Sequence, residues 1–399
     1  MLALLVATPV RADLGVPYLP QSDGQVLQEL PSTSDPRVRA FDALRRQQQE
    51  HPDDMALALK LARDYIDYGR ITGDARYLGR ALAVIAPWLK RTPVPMPVMM
   101  VNATILQSRH LFVQSRAILE QILKADSDNG QAWLTLASVA QVQGDMDKAR
   151  HSCARLMGSM DALITAACIG GLDAVTGRAN DGYEVIALLL KQEPNEPPLI
   201  QSWAQGLLAD AAKYQGEDTL ADAHFKAALQ LVPGDNFLLA DYGDFLLDHK
   251  RPREVIALVR DYTQSDTSFL RLVLAEAMLK LPQAGKDTQE MAQRFRDLDL
   301  RGDKHLYARE QARFVLGLQH DPARALEIAQ GNWTIQRAPP DARIYLEAAL
   351  AAGRPEAAQP VLDFLAQTNL EDPRVRELDA TVRSAIGKKP AQMQNGTSP

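Results

Sequence analysis

Apolar residues recur along the chain in runs with helical spacing. From Asp35 onward these runs are roughly twelve to sixteen residues long, and short turns containing Gly, Pro or Asp separate them. Each run predicts an amphipathic helix, because residues three or four positions apart share one helix face. The regular alternation of runs and short turns therefore predicts a series of helical hairpins.

The spacing of large and small residues repeats about every 34 residues. In one unit the repeated positions are Trp133, Leu136, Ala137, Ala140, Gly144, Ala149, Cys153 and Leu156. Thirty-four residues upstream the same positions hold Met99, Asn102, Ala103, Leu106, His110, Ser115, Leu119 and Ile122. A later copy, displaced by four extra residues, holds Leu208, Ala209, Ala212, Gly216, Ala221, Phe225 and Ala228. A fixed period of this length is typical of proteins whose repeated units stack.

These units resemble the tetratricopeptide repeat, a pair of antiparallel helices with large and small residues at these positions. Residues 130–163 and 202–236 match most closely, and the resemblance covers most of residues 50–370. It implies an all-α, right-handed superhelical solenoid of about nine helical hairpins. The whole sequence is also similar to bacterial proteins of this repeat family, a likeness that implies no particular activity.

The segments outside the repeats divide the chain further. We expect the repeat array at 38–371, a capping helix at 372–387 and a disordered polar tail at 388–399. Four prolines in 13–37 predict an extended arm. The segment 1–12 is apolar, too short to span a bilayer, and ends in small residues suited to signal peptidase. It predicts a signal peptide, with a first helix that packs on the array as the alternative.

Charge and hydropathy limit the classes of partner. The chain has 44 basic and 50 acidic residues, a formal net charge of −6, and so lacks the basic field of a nucleic-acid-binding protein. No apolar run is long enough for a stable membrane span. We therefore expect a protein or peptide partner, with self-association through the apolar ends of an open solenoid as a further option. The signal peptide predicts a bacterial periplasmic or secreted protein, and the alternative is a cytoplasmic one.

Cys153 and Cys168 are the two cysteines of the chain. In an exported protein, two cysteines fifteen residues apart can form a disulfide between adjacent helices. The alternative is a pair of buried thiols that pack as small hydrophobic side chains. The sequence leaves both interpretations open.

No catalytic or metal-binding motif is recognisable. The seven histidines form neither an HExxH pattern nor a zinc-type Cys/His set. The AGKDT segment at 284–288 lacks the upstream glycine of a phosphate-binding loop, and the chain has no GxSxG. We therefore predict a protein that is not an enzyme and uses no cofactor or metal. The alternative is a catalytic site in the degenerate C-terminal repeats, around Arg309, Glu310, Arg313 and Trp333.

The resemblance also implies a binding surface. In tetratricopeptide repeats the first helix of each hairpin lines a concave groove, and its non-core positions contact an extended peptide or a partner helix. In this chain those positions are Gln131, Leu134, Ser138 and Gln141, with Met100, Thr104 and Gln107 in the preceding unit and Trp203, Asp210 and Lys213 in a later one. The set is mostly uncharged and lacks the row of Lys and Arg that would clamp a C-terminal carboxylate.

The sequence thus predicts a non-catalytic protein-interaction scaffold that binds a peptide or partner helix in its groove. An accessory or regulatory subunit of an envelope enzyme or assembly complex is one alternative. A catalytic protein with its site in the C-terminal repeats is the other.

Overall fold

The computed structural model describes residues 36–300 and 306–387, together with residue 22. The predicted signal peptide at 1–12 and tail at 388–399 lie outside the described residues, as does nearly all of the predicted arm. In the part of the chain that is described, the regular structure is helical. The predicted all-α solenoid of helical hairpins is confirmed.

The described residues form twenty α-helices, of which α1 (Pro36–Glu50) comes first and α20 (Pro373–Gly387) last. Between them lie nine hairpins: α2 (Met55–Thr72) and α3 (Arg76–Leu89), α4 (Met96–Ser108) and α5 (Phe112–Ala125), α6 (Gly130–Val142) and α7 (Met146–Ala154), α8 (Ala162–Ala174) and α9 (Ala179–Gln192), α10 (Pro198–Tyr214) and α11 (Asp218–Leu231), α12 (Asn236–Asp248) and α13 (Pro252–Val259), α14 (Asp266–Met278) and α15 (Ala284–Leu300), α16 (Ala308–Phe314) and α17 (Pro322–Trp333), and α18 (Pro339–Ala351) and α19 (Gln359–Thr368). Helix α20 occupies the segment predicted as the capping helix.

Polar caps and a left-handed turn residue set the helix boundaries in the hairpin of α6 and α7. The side chain of Asn129 accepts a hydrogen bond from the amide of Ala132 at the start of α6. Asp145 caps α7 in the same way by accepting from the amide of Lys148. Between the two helices Gly144 has a φ of 81°, which a residue without a Cβ adopts at little cost. Segment 131–153 is therefore two capped helices joined by a tight turn.

Small residues let the two helices of a hairpin approach closely. Between α8 and α9, a Cβ built on Gly182 would lie 2.3 Å from the carbonyl oxygen of Gly170. Ala209 and Ala221 occupy the equivalent positions in the hairpin of α10 and α11, and both are fully buried. The larger Phe225 fills the space beside them and is also buried. The hydrophobic cluster that holds these three residues extends through α12 and α13 to α14, so it joins neighbouring hairpins, as stacking of incomplete units requires.

Early hairpins also contact late ones, so the solenoid winds back onto itself. At the turn between α2 and α3, the carbonyl of Gly73 accepts a hydrogen bond from the hydroxyl of Tyr307 at 3.2 Å. At the end of α6, the carbonyl of Val142 accepts from the amide of Arg337 at 2.7 Å. These contacts join segments far apart in the sequence and hold successive turns of the superhelix together.

We predict that Gly73→Ala destabilises the protein more than a matched change at Gly353. Both glycines have a left-handed backbone, with φ of 69° and 65°, so each alanine costs roughly 1–2 kcal/mol of backbone strain. A Cβ on Gly73 would also lie 2.7 Å from the hydroxyl of Ser265, whereas no heavy atom lies within 4 Å of one on Gly353. Overpacking adds about 1–3 kcal/mol. Equal losses of the free energy of unfolding in urea would contradict the contact between early and late hairpins.

Candidate functional site on the first helices of the hairpins

Ionisable side chains cluster on the first helices of five consecutive hairpins, α10, α12, α14, α16 and α18. We call them the inner cluster: Asp210, Lys213, Asp241, Asp244, Arg271, Arg309, Glu310, Arg313 and Asp341. Three of them are buried, and the other six are half-buried. Charges held at this depth are costly unless they are paired, so the pairing of each member shows its role.

Arg271 is the centre of the inner cluster and is only 1% exposed. Its guanidinium donates to both carboxylate oxygens of Asp244, at 2.9 Å from Nε and 2.8 Å from Nη2. It also donates to both oxygens of Glu310, and Nη1 reaches the carbonyl of Thr267 at 3.1 Å. All three guanidinium nitrogens of Arg271 therefore donate hydrogen bonds, and its contacts with both carboxylates are bidentate.

Two further arginines on α16 extend these pairs. Arg313 donates to Asp244 at 2.5 Å, so that this carboxylate accepts from two guanidinium groups. Arg309 lies 3.4 Å from Glu310 and 3.7 Å from Asp341 on the next first helix. Asp341 in turn accepts from the backbone amide of Ala338 and so caps α18. The network thus ties the first helices α12, α14, α16 and α18 to one another.

The charges in this network set the protonation of its carboxylates. Burial alone would raise the pKa of Asp244, but the nearby Arg271 and Arg313 outweigh it and lower the pKa below its ordinary value. The pKa of Glu310 is lowered for the same reasons, with burial opposed by Arg271, Arg309 and Arg313. Both groups therefore remain ionised at neutral pH and keep the network charged.

Asp241 differs from its neighbours because its carboxylate has no partner. Among the described residues, no hydrogen bond or ion pair reaches it. Burial, and then the negative charge of Asp210, raise its pKa from 3.8 to about 7, with Lys213 and Arg309 acting in the opposite direction. Asp241 is thus an unpaired acid, close to half-ionised at neutral pH, in the middle of a paired network.

Asp210 and Lys213 form an ion pair on α10 whose two charges both act on Asp241. The ammonium of Lys213 lies 2.6 Å from the Asp210 carboxylate and 4.9 Å from the centre of the Tyr214 ring. Burial would lower the pKa of Lys213, but the charge of Asp210 raises it well above its ordinary value. Lys213 is therefore charged and already engaged with one carboxylate.

The groove residues predicted from the sequence all lie on first helices of hairpins. Helix α4 carries Met100, Thr104 and Gln107, helix α6 carries Gln131, Leu134, Ser138 and Gln141, and helix α10 carries Trp203, Asp210 and Lys213. The structure brings Asp210 and Lys213 into the inner cluster. The residues on α4 and α6 lie on other hairpins, and their role in binding stays a prediction.

Several polar side chains among these predicted groove residues bond within their own helix. The hydroxyl of Thr104 donates to the carbonyl of Met100, and that of Ser138 to the carbonyl of Leu134. The amide of Gln131 donates to the hydroxyl of Thr135 at 3.3 Å. These donors are satisfied locally. The ion pairs of the first helices described above therefore lie on α10 to α18, in the C-terminal half of the array.

The residues proposed as an alternative catalytic site do not come together as one group. Arg309, Glu310 and Arg313 belong to the inner cluster. Trp333 is instead a core residue, 6% exposed, whose ring packs edge-on against Phe364 with centroids 5.3 Å apart. The first three side chains are held in ion pairs and the fourth in hydrophobic packing.

Sequence reasoning did not find four members of the inner cluster. Asp244 lies 34 residues after Asp210, at the same position of the repeat, and the period alone could have revealed it. Asp241 precedes Asp244 by one helical turn. Arg271 and Asp341 lie in degenerate units. These units lack the repeated large and small residues that would assign a position in the repeat to each of them.

The two cysteines are joined in the structure. The sulfur atoms of Cys153 and Cys168 lie 2.07 Å apart, and both residues are buried. The bond connects the C-terminal end of α7 to the middle of α8. The structure therefore combines the disulfide with the burial expected of two packed cysteines.

Residues 36–300 and 306–387 contain no group of three or more His, Cys, Asp or Glu side chains placed to hold a metal ion. None of the helices described in those ranges is long and apolar enough to cross a membrane.

No protein-family model and no curated protein sequence matches the chain. Among solved structures, it is similar to the Cut9–Hcn1 hetero-tetramer of APC/C, with 13% identity and a TM-score of 0.52 over 87% of this chain and 66% of that one. Human IFIT1 bound to m7Gppp-AAAA gives 12% identity and a TM-score of 0.47, over 88% of this chain and 86% of that one. A tetratricopeptide repeat protein from Parabacteroides merdae gives 12% identity and a TM-score of 0.31, over 86% of this chain and 99% of that one. The first of these supports the fold: the chain is a helical solenoid like that of tetratricopeptide-repeat proteins.

Proposed function

We propose that the chain is a non-catalytic protein-interaction scaffold that holds an extended segment of a partner protein along its first helices. The inner cluster is the anchor of this surface. The proposal is carried by one observation: the carboxylate of Asp241 lies among paired charges, and within residues 36–300 and 306–387 no hydrogen bond or ion pair reaches it. A half-buried acid of this kind is complementary to a Lys or Arg side chain of the bound segment.

The charge balance of the inner cluster favours a basic segment over an acidic one. The cluster holds five carboxylates and four cations. Each of the four cations is already engaged with a carboxylate of the cluster. The excess negative charge therefore belongs to Asp241. A partner's C-terminal carboxylate would have to displace existing pairs, so this mode of recognition is not favoured.

A scaffold is favoured over the alternative catalytic protein because the ionisable groups form structural pairs. Arg309, Glu310 and Arg313 each contact another charged group of the cluster. An accessory or regulatory subunit of an envelope enzyme or assembly complex uses the same surface and remains within this proposal. Self-association through the ends of the array remains a separate prediction.

The disulfide supports export to an oxidising compartment. Structural disulfides persist in the periplasm and outside the cell, whereas cytoplasmic thiols are kept reduced. The pairing of Cys153 with Cys168 therefore favours a periplasmic or secreted protein over a cytoplasmic one.

We predict that Asp241→Asn stabilises the protein at pH 8. A folded-state pKa of about 7 lies above the ordinary carboxyl value of 3.8, so the native protein retains a proton that the unfolded chain has lost. The free energy of unfolding therefore falls as the pH rises from about 4 to 7. A shift of one pKa unit corresponds to about 1.4 kcal/mol of stability. Partial solvent access to the carboxyl reduces the total contribution of the shift. Urea unfolding should show a gain of roughly 1–3 kcal/mol at pH 8 and a flatter pH profile.

The matched control for this measurement is Asp53→Asn, because the Asp53 side chain is 96% exposed. It should change neither the stability at pH 8 nor its pH dependence by more than about 0.5 kcal/mol. If Asp241→Asn behaved like this control, the Asp241 carboxyl would not be an unpaired acid with a raised pKa.

We predict that the purified chain selects peptides containing Lys or Arg from a displayed library of random peptides. The basic side chain should pair with Asp241, so Asp241→Asn should weaken the selected peptides about tenfold, equivalent to about 1.4 kcal/mol. The affinity, measured by fluorescence anisotropy, should also fall between pH 8 and pH 5.5 as the carboxylate becomes protonated.

Asp53→Asn serves again as the control and should leave the peptide affinity unchanged. Selected peptides without basic residues, or peptides that bind Asp241→Asn as tightly as the unaltered chain, would show that the inner cluster is not the anchor.

A further inference from the structure

One ion pair joins first helices that are not neighbours in the array. Arg343 on α18 donates to both carboxylate oxygens of Asp248 on α12, at 2.5 Å from Nη1 and 2.6 Å from Nη2. The two residues are 95 positions apart in the sequence. The first helices α14 and α16 come between their helices. We call this contact the bridge.

The bridge shows how strongly the row of first helices curves at this point. Packed helices lie about 8–10 Å apart, so a straight row would place α12 and α18 roughly 24–30 Å from each other. A single ion pair cannot span that distance. The row must therefore bend until the two side chains meet. Since the first helices line the inner side of the superhelix, the bridge crosses its concave surface.

The bridge ends two helical turns from Asp241, whose carboxylate no described hydrogen bond or ion pair reaches. Residues seven positions apart on an α-helix share a face and lie about 10.5 Å apart along its axis. About three residues of an extended segment span the same distance. Asp244, between the two carboxylates, is already held by Arg271 and Arg313. A bound segment that reaches Asp241 therefore comes within a few residues of Asp248.

The bridge is more exposed than the ion pairs at the centre of the inner cluster. The side chains of Arg343 and Asp248 are 24% and 36% exposed, whereas those of Arg271 and Glu310 are 1% and 5% exposed. Ion pairs open to solvent are weak, because water competes for both charges. Breaking a buried pair, by contrast, leaves a charge in the interior without a partner. The bridge is therefore a pair that an incoming charge can replace at low cost.

Arg343 keeps an ionic partner when the bridge opens. Its Nε donates to the carboxylate of Glu347, one turn later on α18, at 2.9 Å. This contact uses neither of the two nitrogens that reach Asp248, so it survives the loss of the bridge. Opening the bridge thus leaves the carboxylate of Asp248 in need of a counter-charge. A Lys or Arg side chain of a bound segment supplies that charge.

We propose that Arg343 is an internal competitor that occupies Asp248 until a basic side chain of the bound partner segment replaces it. This inference rests on the proposed binding of a basic segment at Asp241. The partner segment then carries two basic residues about three positions apart, one for Asp241 and one for Asp248. The bridge opens for the second of these residues, so the surface distinguishes paired basic residues from single ones.

The test is fluorescence anisotropy of the full chain with two labelled ten-residue peptides of glycine and serine. One peptide carries arginine at its fourth and seventh positions, and the other carries arginine at its fourth position alone. Arg343→Gln leaves Asp248 open and should tighten binding of the two-arginine peptide about fivefold, the strength of a partly exposed ion pair. The affinity for the one-arginine peptide should change less than about twofold. Adding Asp248→Asn to Arg343→Gln should abolish the gain.

Arg324→Gln is the matched control, because it removes the same charge from an exposed pair with Glu327 on the second helix α17. It should leave both affinities unchanged. Asp248→Asn alone keeps the test valid if Arg343→Gln fails to fold. The unaltered chain should bind the two-arginine peptide at least about twofold more tightly than the one-arginine peptide, and Asp248→Asn should bind the two equally.

The inference alone is overturned if the one-arginine peptide binds through Asp241, as its loss of affinity in Asp241→Asn would show, while Arg343→Gln gives no gain with the two-arginine peptide. An equal gain in Arg324→Gln, or a preference for two arginines that persists in Asp248→Asn, also overturns it. If neither peptide binds the unaltered chain or any variant, the proposed function fails together with this inference.

Discussion

The burial of one guanidinium group, that of Arg271, constrains how the first helices α12, α14 and α16 pack against one another. Removing an ion from water costs several kcal/mol unless opposite charges and hydrogen bonds replace the solvent. Arg271 meets that condition through Asp244 on α12 and Glu310 on α16, both in bidentate contact. Helix α14 must therefore lie between these two helices in one register. A hairpin shifted by a single turn would leave a charge buried without a partner.

This constraint decides what the surface can offer to a partner. The paired arginines are already held, so they stabilise the arrangement of helices and are poorly available to a ligand. Asp241 lies one turn before Asp244 and receives no such pair from the residues that the structure describes. A binding group that is held in place before its partner arrives loses less conformational entropy on binding. The contacts between Gly73 and Tyr307 and between Val142 and Arg337 add to this preorganisation by joining early hairpins to late ones.

The sequence predicted the hairpins well because their packing is local. The contact of Gly170 with Gly182 joins residues within one repeat, and the 34-residue period repeats such contacts along the chain. The inner cluster depends on longer distances, since Arg271 lies 27 residues from Asp244 and 39 from Glu310. Of its members, the groove prediction named Asp210 and Lys213, and the catalytic alternative named Arg309, Glu310 and Arg313. Contacts such as that of Tyr307 with Gly73, 234 residues apart, follow from the curvature of the whole array. The 34-residue period of the sequence does not predict them.

The central claim is that a partner segment lies along the first helices, next to the inner cluster. The most direct measurement is photo-crosslinking in the native host with p-benzoylphenylalanine in place of Trp203, on the first helix α10. The same residue in place of Leu220, 38% exposed on the second helix α11 of that hairpin, is the control. The account predicts one reproducible protein adduct from position 203 and none of that protein from position 220. The absence of an adduct from position 203, or the same protein captured equally from both positions, would contradict it.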